Sequence, residues 1–287
     1  MRSLLFVPGD SERKIEKGFG SAADALILDL EDAVAIPKKD HARALCADVL
    51  RTARNGKSVI VRINAFETPF ALQDLADIIK GKPDGIMLPK CQSLDDVSRL
   101  ITYIDILEIR EGIEPGSIAI YPIVTETARS VLALSDYRKP MARIKGLLWG
   151  GEDLAADIGA LANRDRTGHY TSLFASARSL CLLAAAALEA EAIDAVNVNF
   201  RDLDALRLEA EQAAQDGFSA KAAIHPDQID VINQAFTPSA EAVSHAKAIL
   251  EAFKQSDSGV ASLNGRMIDA PHLRSARRVL ARSQTRN

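Results

Sequence analysis

Two acidic residues follow consecutive apolar runs in the middle of the chain, and together they could bind a metal ion. Glu126 comes after the run at residues 118–124, and Asp153 comes after the run at residues 144–149. If both runs are strands of one barrel, the two carboxylates meet at the same rim. Two carboxylates suit Mg²⁺, which prefers oxygen ligands and keeps part of its water shell. The alternative is that both acids cap helices, and further acids beside Asp153, such as Glu152, leave the choice of ligand open.

A charged residue interrupts the apolar run at residues 59–63. Arg62 needs a partner there, because a charge is rarely buried unpaired. Its planar fork suits bidentate capture of a carboxylate. The alternative is an ion pair with an acid inside the barrel. Both can hold if Glu31 or Asp32 orients Arg62 while Arg62 binds the substrate.

The chain has three acids within four residues at the end of another apolar run. Asp29 alternates with apolar neighbours and is expected to point into the barrel, and Glu31 and Asp32 follow it. A rim with this many acidic residues needs a cation to balance its charge. This is a second, independent argument for a divalent metal ion. Lys90 and His225 are further candidates at the rim, with the alternative that His225 only caps the last strand.

Adjacent glycines precede the acids around Asp153. Gly150 and Gly151 are not a dinucleotide-binding motif, since the chain has no G-x-G-x-x-G pattern. Glycines let a ligand approach the backbone closely. Their N–H groups could therefore bind a carboxylate or an enolate oxygen beside the metal.

Eight apolar, β-branched runs, most of them separated by helical patterns, carry these polar residues. The runs lie at residues 4–7, 25–30, 59–63, 85–88, 118–124, 144–149, 195–198 and 222–224. A (β/α)8 barrel has eight strand–helix units in about 250 residues and places its chemistry at the C-terminal strand ends. The 287-residue chain is therefore predicted to have an α/β fold. We expect a (β/α)8 TIM barrel at residues 1–236 and a C-terminal helical extension or lid at residues 237–287.

The composition argues against several classes of protein. A net charge of −4 offers no basic surface for nucleic acid. No apolar stretch reaches the roughly 18 residues of a membrane span, so we expect neither a nucleic acid nor a membrane as partner. The chain enters a strand within four residues and shows no signal-peptide pattern. Its three cysteines have no metal-binding spacing, so we expect buried thiols and a cytoplasmic protein.

The chain beyond Pro238 has a pattern of its own. An amphipathic helix is predicted at residues 240–254 and a polar, Gly/Ser-rich linker at residues 255–259. A segment at residues 263–280 follows and includes a basic helix. Its apolar residues indicate that it packs, either as a lid or as an arm on a neighbouring subunit. The alternative is a frayed tail.

Several motifs, in this order, resemble those of the citrate lyase β-subunit-like family within the HpcH/HpaI aldolase superfamily. They are RSLLFVPG at residues 2–9, ADALILDLEDAV at 23–34, VRIN at 61–64, LPK at 88–90, TET at 125–127, GGEDLAADIG at 150–159 and AIHPDQI at 223–229. The resemblance runs from residue 2 to about residue 280. Departures from the family pattern at residues 197–200 and 219–221 bear on the shape of the rim and on substrate choice.

The resemblance implies a Mg²⁺-dependent carbon–carbon lyase that acts on an acyl-CoA thioester and a 2-oxo acid. It implies that Glu126 and Asp153 bind Mg²⁺ and that Arg62 holds the carboxylate of the 2-oxo acid. It also implies that Asp269, in a lid-like motif, reaches the active site of a neighbouring subunit in a homo-oligomer, a trimer or a hexamer. The predicted catalytic residues are Asp269, Arg62, Glu31 and Asp32, and the predicted substrate-binding residues are Arg62, Gly151, Glu152, Asp153 and Glu126.

Three activities follow as hypotheses. The first is cleavage of a 3-hydroxyacyl-CoA, such as (S)-citramalyl-CoA or L-malyl-CoA, to acetyl-CoA and pyruvate or glyoxylate. The second is a malyl-CoA thioesterase or malate synthase-like activity. The third is the citryl lyase β subunit of a citrate lyase complex, which would need an acyl carrier protein. The lid segment favours a standalone enzyme.

Overall fold

The computed structural model of the chain describes residues 1–52, 56–256 and 259–284. The chain divides into two compact units, Met1–Ile232 and Asn233–Asn287. The predicted domain boundary after residue 236 stays a prediction. Two residues of the predicted linker, 257 and 258, lie outside the described residues.

Eight parallel strands form the sheet of the first unit. They are β1 (Ser3–Pro8), β2 (Ala25–Asp29), β3 (Ser58–Arg62), β4 (Gly85–Leu88), β5 (Ala119–Pro122), β6 (Gly146–Leu148), β7 (Glu191–Asp194) and β8 (Ala220–Ala223). Their order is β5-β4-β3-β2-β1-β8-β7-β6. Parallel bridges from Ile120 to Ile144 and from Ile123 to Leu148 join β5 to β6. The predicted (β/α)8 barrel is therefore confirmed.

Helices follow the strands, as parallel pairing requires. They are α1 (Glu12–Phe19), α2 (Lys39–Val49), α3 (Ala71–Ile78), α4 (Leu94–Glu111), α5 (Ala128–Ala133), α6 (Glu152–Ile158), α7 (Ser172–Ala187), α8 (Leu203–Asp216), α9 (Ile229–Ala235), α10 (Ala240–Lys254) and α11 (Ala270–Gln284). Short 3₁₀ turns lie at Ile36–Lys38, Ile79–Gly81, Leu134–Asp136 and Pro226–Gln228. In the part of the chain that the structure describes, no helix combines the length and apolarity needed to cross a membrane. The three cysteines are buried and free, as predicted.

Side chains from alternating strands fill the barrel. The buried cluster includes Ile27, Ile60 and Tyr121, and Tyr121 is the largest of them. Its ring has room because two neighbouring positions are glycine. A Cβ on Gly85 would lie 2.7 Å from Tyr121 Cε2, and one on Gly146 would lie 3.1 Å from Tyr121 Cδ1. The glycines thus allow one large ring to close the core below the cavity-bearing strand ends.

The prediction of the seventh strand at residues 195–198 was wrong, because β7 ends at Asp194. Charged residues open and close this strand, so its apolar character covers only Ala192 and Ile193. Asp194 is nevertheless fully buried, whereas Val198 is exposed. The β-branched Val196 and Val198 led to the prediction of a strand there. The ion pairs that make burial of Asp194 possible cannot be recognised from a sequence pattern.

The second unit consists of helices packed together with a β-hairpin. Strands β9 (Ala261–Leu263) and β10 (Arg266–Ile268) pair antiparallel, and the core includes Ala246, Ile249, Ile268 and Ala276. Positive φ angles of 51° at Asn264 and 75° at Gly265 form the two-residue turn. Asn-Gly is the strongest short-range hairpin signal, and the sequence analysis missed it. The segment packs against α10 within the unit, and its role as a lid or as an arm on a neighbouring subunit stays a prediction.

Candidate active site

A cavity of about 280 Å³ opens where the barrel strands end. Its polar lining includes the predicted residues Arg62, Glu126, Glu152 and Asp153, together with Asp29. The remaining predicted lining residue is Gly151, and the apolar lining includes Phe6, Ile123, Leu148, Trp149, Val196 and Ile224. A charged group and an apolar group of one small ligand could therefore both be accommodated.

Arg62 is held by Asp29 through two parallel hydrogen bonds. The two residues are neighbours in the register of β3 and β2. Arg62 Nε and one terminal nitrogen each donate to an Asp29 oxygen at 2.7 Å. The other terminal nitrogen lies 3.1 Å from Glu31 Oε2, and the guanidinium lies 4.8 Å from the Phe6 ring centre. Asp29 is thus the main orienting residue, with Glu31 as a second partner, and one edge of the fork is already used.

The pKa values of Arg62 and Glu31 reflect both burial and the charges around them. Burial opposes the charge of Arg62, but its hydrogen bonds to Asp29 and the carboxylates nearby raise the pKa of Arg62 overall. Burial raises the pKa of Glu31, and Arg62 and Lys90 only partly offset that effect. The pKa of Glu31 therefore stays above its usual value although two cations lie beside it.

Lys90 links four of the acids around the cavity. Its Nζ lies 2.5 Å from Glu31 Oε1, 3.3 Å from Asp153 Oδ1 and 3.5 Å from Asp32 Oδ2. Its backbone N–H donates to Glu126 Oε2. Lys90 has φ 50°, which turns this N–H toward the carboxylate. Sequence analysis identified Lys90 only as a group at the rim, because the contacts join distant parts of the chain.

Glu126 is the most perturbed carboxyl group in the cavity. Only 3% of its surface is exposed. Burial, reinforced by Asp153 and Glu31, raises the pKa of Glu126 to about 8, and the hydrogen bond from Lys90 opposes this only in part. A further cation beside Glu126 would therefore stabilise its charged carboxylate form.

The segment from Gly150 to Asp153 carries the other predicted acids. Gly150 N donates to Thr125 Oγ1 at 2.8 Å, so this amide is engaged inside the protein and the expectation that it binds a ligand is corrected. A Cβ on Gly150 would lie 2.9 Å from Glu126 Cγ, which explains the glycine. Asp153 is half-buried in the first turn of α6, whereas the exposed Glu152 accepts a hydrogen bond from Asn163 at 2.6 Å.

The donor set fits a hard divalent cation that keeps its own waters. Asp29, Glu126 and Asp153 line the cavity. Glu31 lies behind Arg62 and Lys90, the two cations in contact with these acids. Among the described residues, no group of three or more His, Cys, Asp or Glu side chains could hold a metal ion by itself. Mg²⁺ usually binds through one or two carboxylates, with substrate and water completing its octahedron. Glu126 and Asp153 are suited to that arrangement.

Two further predicted residues have local structural partners. His225 Nδ1 accepts from Asp227 N at 3.3 Å, and its ring stacks on Phe200 with centres 4.9 Å apart, so it caps the turn after β8. Asp269 belongs to the second unit and directly precedes α11. Its Oδ1 lies 2.6 Å from His272 Nδ1. The sequence analysis missed His272, although its i,i+3 spacing at a helix start was a usable signal.

We predict that Glu126 makes stability fall as pH rises. Its folded pKa of about 8 exceeds the ordinary value of 4.5, so between these pH values the unfolded chain has lost a proton that the folded chain keeps. The free energy of unfolding should decrease by up to about 1.4 kcal/mol per pH unit in that window. Glu126→Gln should remove this dependence. Chemical denaturation between pH 5 and pH 8 with EDTA measures it.

The exposed neighbour Glu152 provides the matched control, since Glu152→Gln should keep the wild-type pH dependence. Parallel pH profiles for wild type and Glu126→Gln would show that the Glu126 carboxyl is not perturbed by its surroundings.

Comparisons with known proteins agree with the fold and with the cavity. The family described as HpcH/HpaI aldolase/citrate lyase matches residues 2–226. A (3S)-malyl-CoA thioesterase of Cereibacter sphaeroides is 35% identical, with 99% of this chain and 94% of that protein covered. Citrate lyase subunit beta of Escherichia coli is 32% identical, with 99% and 93% covered.

A solved structure is similar over nearly its full length. It is the protein CitE from Mycobacterium tuberculosis in complex with magnesium, acetoacetate and coenzyme A, with 32% identity and a TM-score of 0.78. The similarity covers 98% of this chain and 97% of that one. The resemblance found in the sequence motifs is confirmed, and the chain belongs to the HpcH/HpaI aldolase/citrate lyase family.

Proposed function

We propose that the protein is a Mg²⁺-dependent carbon–carbon lyase that cleaves a 3-hydroxyacyl-CoA to acetyl-CoA and a 2-oxo acid. Citramalyl-CoA, giving pyruvate, and malyl-CoA, giving glyoxylate, are the candidate substrates. The observation that carries the proposal is one small cavity lined by Arg62, Glu126 and Asp153. An anion-binding fork beside two metal-competent carboxylates suits a 2-oxo acid, which presents a carboxylate and a carbonyl oxygen together.

The relatives support the same ligands. The CitE structure of M. tuberculosis holds magnesium, acetoacetate and coenzyme A, and a relative in C. sphaeroides acts on malyl-CoA. In this chain Glu126 and Asp153 would hold Mg²⁺. Bound there, the ion would supply Lewis-acid polarisation of the oxygens of the 2-oxo acid.

The chain's own residues have separate tasks in the cleavage. Arg62, with one edge fixed by Asp29, binds the carboxylate of the 2-oxo acid through its remaining N–H groups. Glu31, or the more exposed Asp32, accepts the proton of the 3-hydroxyl group. The electron pair of the breaking C–C bond passes to the acetyl carbon, and Asp269 donates a proton to that carbon. Charge is thus balanced, because one proton is taken from oxygen and one is given to carbon.

A second candidate is hydrolysis of the malyl thioester, which the C. sphaeroides relative favours. Water would attack the thioester carbonyl, releasing CoA and malate instead of acetyl-CoA and glyoxylate. A third candidate, a subunit of a citrate lyase complex, is favoured by the E. coli relative. It would require an acyl carrier protein as the substrate carrier.

We also propose that the protein works as a homo-oligomer, a trimer or a hexamer. Helices α5, α6 and α7 and the loop after α6 expose large apolar side chains, among them Leu132, Leu161, Leu173 and Leu183, with 81%, 106%, 49% and 65% of their surface exposed. Exposed apolar patches of this kind mark association surfaces. A neighbouring subunit is also what a lending role for Asp269 requires.

We predict Mg²⁺-dependent release of acetyl-CoA and a 2-oxo acid from a panel of 3-hydroxyacyl-CoA esters, measured by chromatography and abolished by EDTA. Asp153→Ala and Glu126→Ala should fold normally but lose Mg²⁺ binding in calorimetry. Asp157→Ala, on the same helix as Asp153, is the control that should keep it. Free CoA with malate would instead identify a thioesterase, and turnover only with an acyl carrier protein would identify a complex subunit.

We predict that Arg62→Lys weakens binding of pyruvate or glyoxylate by about 10- to 100-fold, the value of one charged hydrogen bond. Lysine keeps the charge but lacks the planar fork. Mg²⁺ binding should be retained. Arg43→Lys is the matched control, since Arg43 also donates from Nε to a buried acid, Asp74, at 2.9 Å but does not line the cavity. Equal affinity in wild type and Arg62→Lys would remove Arg62 from recognition of the 2-oxo acid.

We predict that Asp269→Asn lowers kcat by about 10²- to 10⁴-fold, the scale of a general acid–base residue. Asparagine still caps a helix, so α11 should stay intact and ligand binding should be largely unchanged. Steady-state kinetics and calorimetry measure the two effects.

Mixed oligomers test whether Asp269 acts on a neighbouring subunit. Inactive Asp269→Asn and inactive Asp153→Ala subunits should regain partial activity when combined. If confirmed hybrids stay inactive, lending across subunits is wrong, and a fully active Asp269→Asn would exclude the residue from proton transfer.

A further inference from the structure

A buried cluster of charged side chains lies behind the apolar wall of the cavity, and the proposed reaction does not use it. Its centre is Asp194, the fully buried last residue of β7. Asp194 Oδ1 accepts hydrogen bonds from Trp149 Nε1 at 2.7 Å and from Arg178 Nε at 2.9 Å. Burial alone would raise the pKa of Asp194, but Lys221 and Arg178 hold it below its usual value. The indole of Trp149 therefore donates to a charged carboxylate.

Lys221, in the neighbouring strand β8, fixes the other side of that carboxylate. Its fully buried Nζ donates to Asp194 Oδ2 at 2.7 Å, to Ala195 O at 2.7 Å and to Glu209 Oε1 at 2.8 Å. An ammonium group has three N–H donors, so every donor of Lys221 has a partner. A buried cation satisfied in this way has one stable position.

The same cluster reaches a second aromatic residue of the cavity. Glu209 Oε2 lies 2.8 Å from a terminal nitrogen of Arg164, and this nitrogen donates to Tyr170 Oη at 2.6 Å. The Arg164 guanidinium also covers the Tyr170 ring at 3.8 Å. The Tyr170 ring meets the Trp149 ring edge to face, with centres 4.8 Å apart at 75°. Both aromatic residues line the cavity and are attached to one network.

The network is electrically balanced, which explains how its centre, Asp194 and Lys221, can be fully buried. Asp194, Glu209 and Asp216 face Lys221, Arg178 and Arg164, with Arg178 bonded to Asp216 at 2.7 Å. A buried ion pair adds little to stability compared with apolar residues of the same shape. Its position, directly behind two cavity-lining rings, indicates a role in geometry.

We propose that Asp194 and Lys221 are positioning residues that hold Trp149 and Tyr170 as a rigid apolar wall of the substrate cavity. The alkyl part of the bound 2-oxo acid packs against this wall, so the position of the two rings sets the width of the cavity. Trp149 also touches the metal-binding segment, since a Cβ on Gly151 would lie 3.1 Å from Trp149 Cζ3. The substrate part of this inference rests on the proposed function, whereas the immobility of the Trp149 ring does not.

Trp149 is the only tryptophan of the chain, so its fluorescence reports directly on the wall. The double variant Asp194→Asn/Lys221→Met removes both central charges together and leaves no unpaired charge between them. We expect acrylamide quenching of Trp149 to rise several-fold, because the acceptor of its indole N–H becomes a neutral amide that Lys221 no longer holds in place. We expect KM to rise between about 10- and 100-fold, with a smaller fall in kcat, because misplacement of a binding surface acts mainly on ligand positioning.

A milder variant guards against misfolding of the double variant. Glu209→Gln keeps the shape of a half-buried side chain outside the cavity lining and weakens the bonds to Lys221 and Arg164. It should raise quenching and KM in the same direction by a smaller factor.

The matched control is a buried ion pair of similar chemistry elsewhere in the barrel. Glu108 and Arg143 are both buried and pair at 3.0 Å between Oε1 and a terminal nitrogen, away from the cavity lining. Glu108→Gln/Arg143→Met should lower the melting temperature but leave quenching and KM unchanged.

The outcomes separate this inference from the proposed function. A folded network variant with wild-type quenching and wild-type KM would overturn the positioning role. A change in the control variant as large as in the network variants would also overturn it, because the effect would then be general loosening. If wild type cleaves no 3-hydroxyacyl-CoA, the proposed function fails, and the quenching comparison alone still decides whether the network fixes Trp149.

Discussion

Concentration of negative charge at one end of the barrel is the constraint on which the site depends. Asp29, Glu31, Glu126 and Asp153 meet there, and the first three are almost fully buried. Desolvated carboxylates repel one another and are costly without cations. Arg62 and Lys90 provide part of the compensation, whereas burial, reinforced by Asp153 and Glu31, raises the pKa of Glu126. A cavity with more carboxylates than cations is suited to bind a divalent metal ion together with an anionic ligand.

The barrel itself could be predicted because its physical cause is visible in the sequence. Parallel strands buried on both faces are read as continuous apolar runs, and seven of the eight were recognised near their observed positions. The prediction of the seventh strand failed because β7 ends in a buried charged residue, Asp194, and a charged residue in a sequence usually indicates a loop. Its partners Arg178 and Lys221 come from α7 and β8. No local window contains those partners.

The candidate site was predictable by residue type more than by contact. Strand ends selected Arg62, Glu126 and Asp153, and the structure brings them into one cavity. The identity of the residue that orients Arg62 depended on strand register, which places Asp29 opposite it. The central position of Lys90 depended on three-dimensional closure, because its partners are contributed by three different strand ends. Pairing across a barrel is set by tertiary geometry, and a single sequence does not report it.

Lys90 serves two carboxylates with two chemically independent parts of one residue. Its side chain neutralises Glu31, while its left-handed backbone, at φ 50°, directs the amide to Glu126. That conformation costs a non-glycine residue roughly 1 kcal/mol or more, and glycine would adopt it freely. Glycine would keep the amide contact but lose the ammonium group. The residue that would best suit this backbone conformation therefore differs from the one that supplies a charge, and the chain has the charged one at the expense of backbone stability.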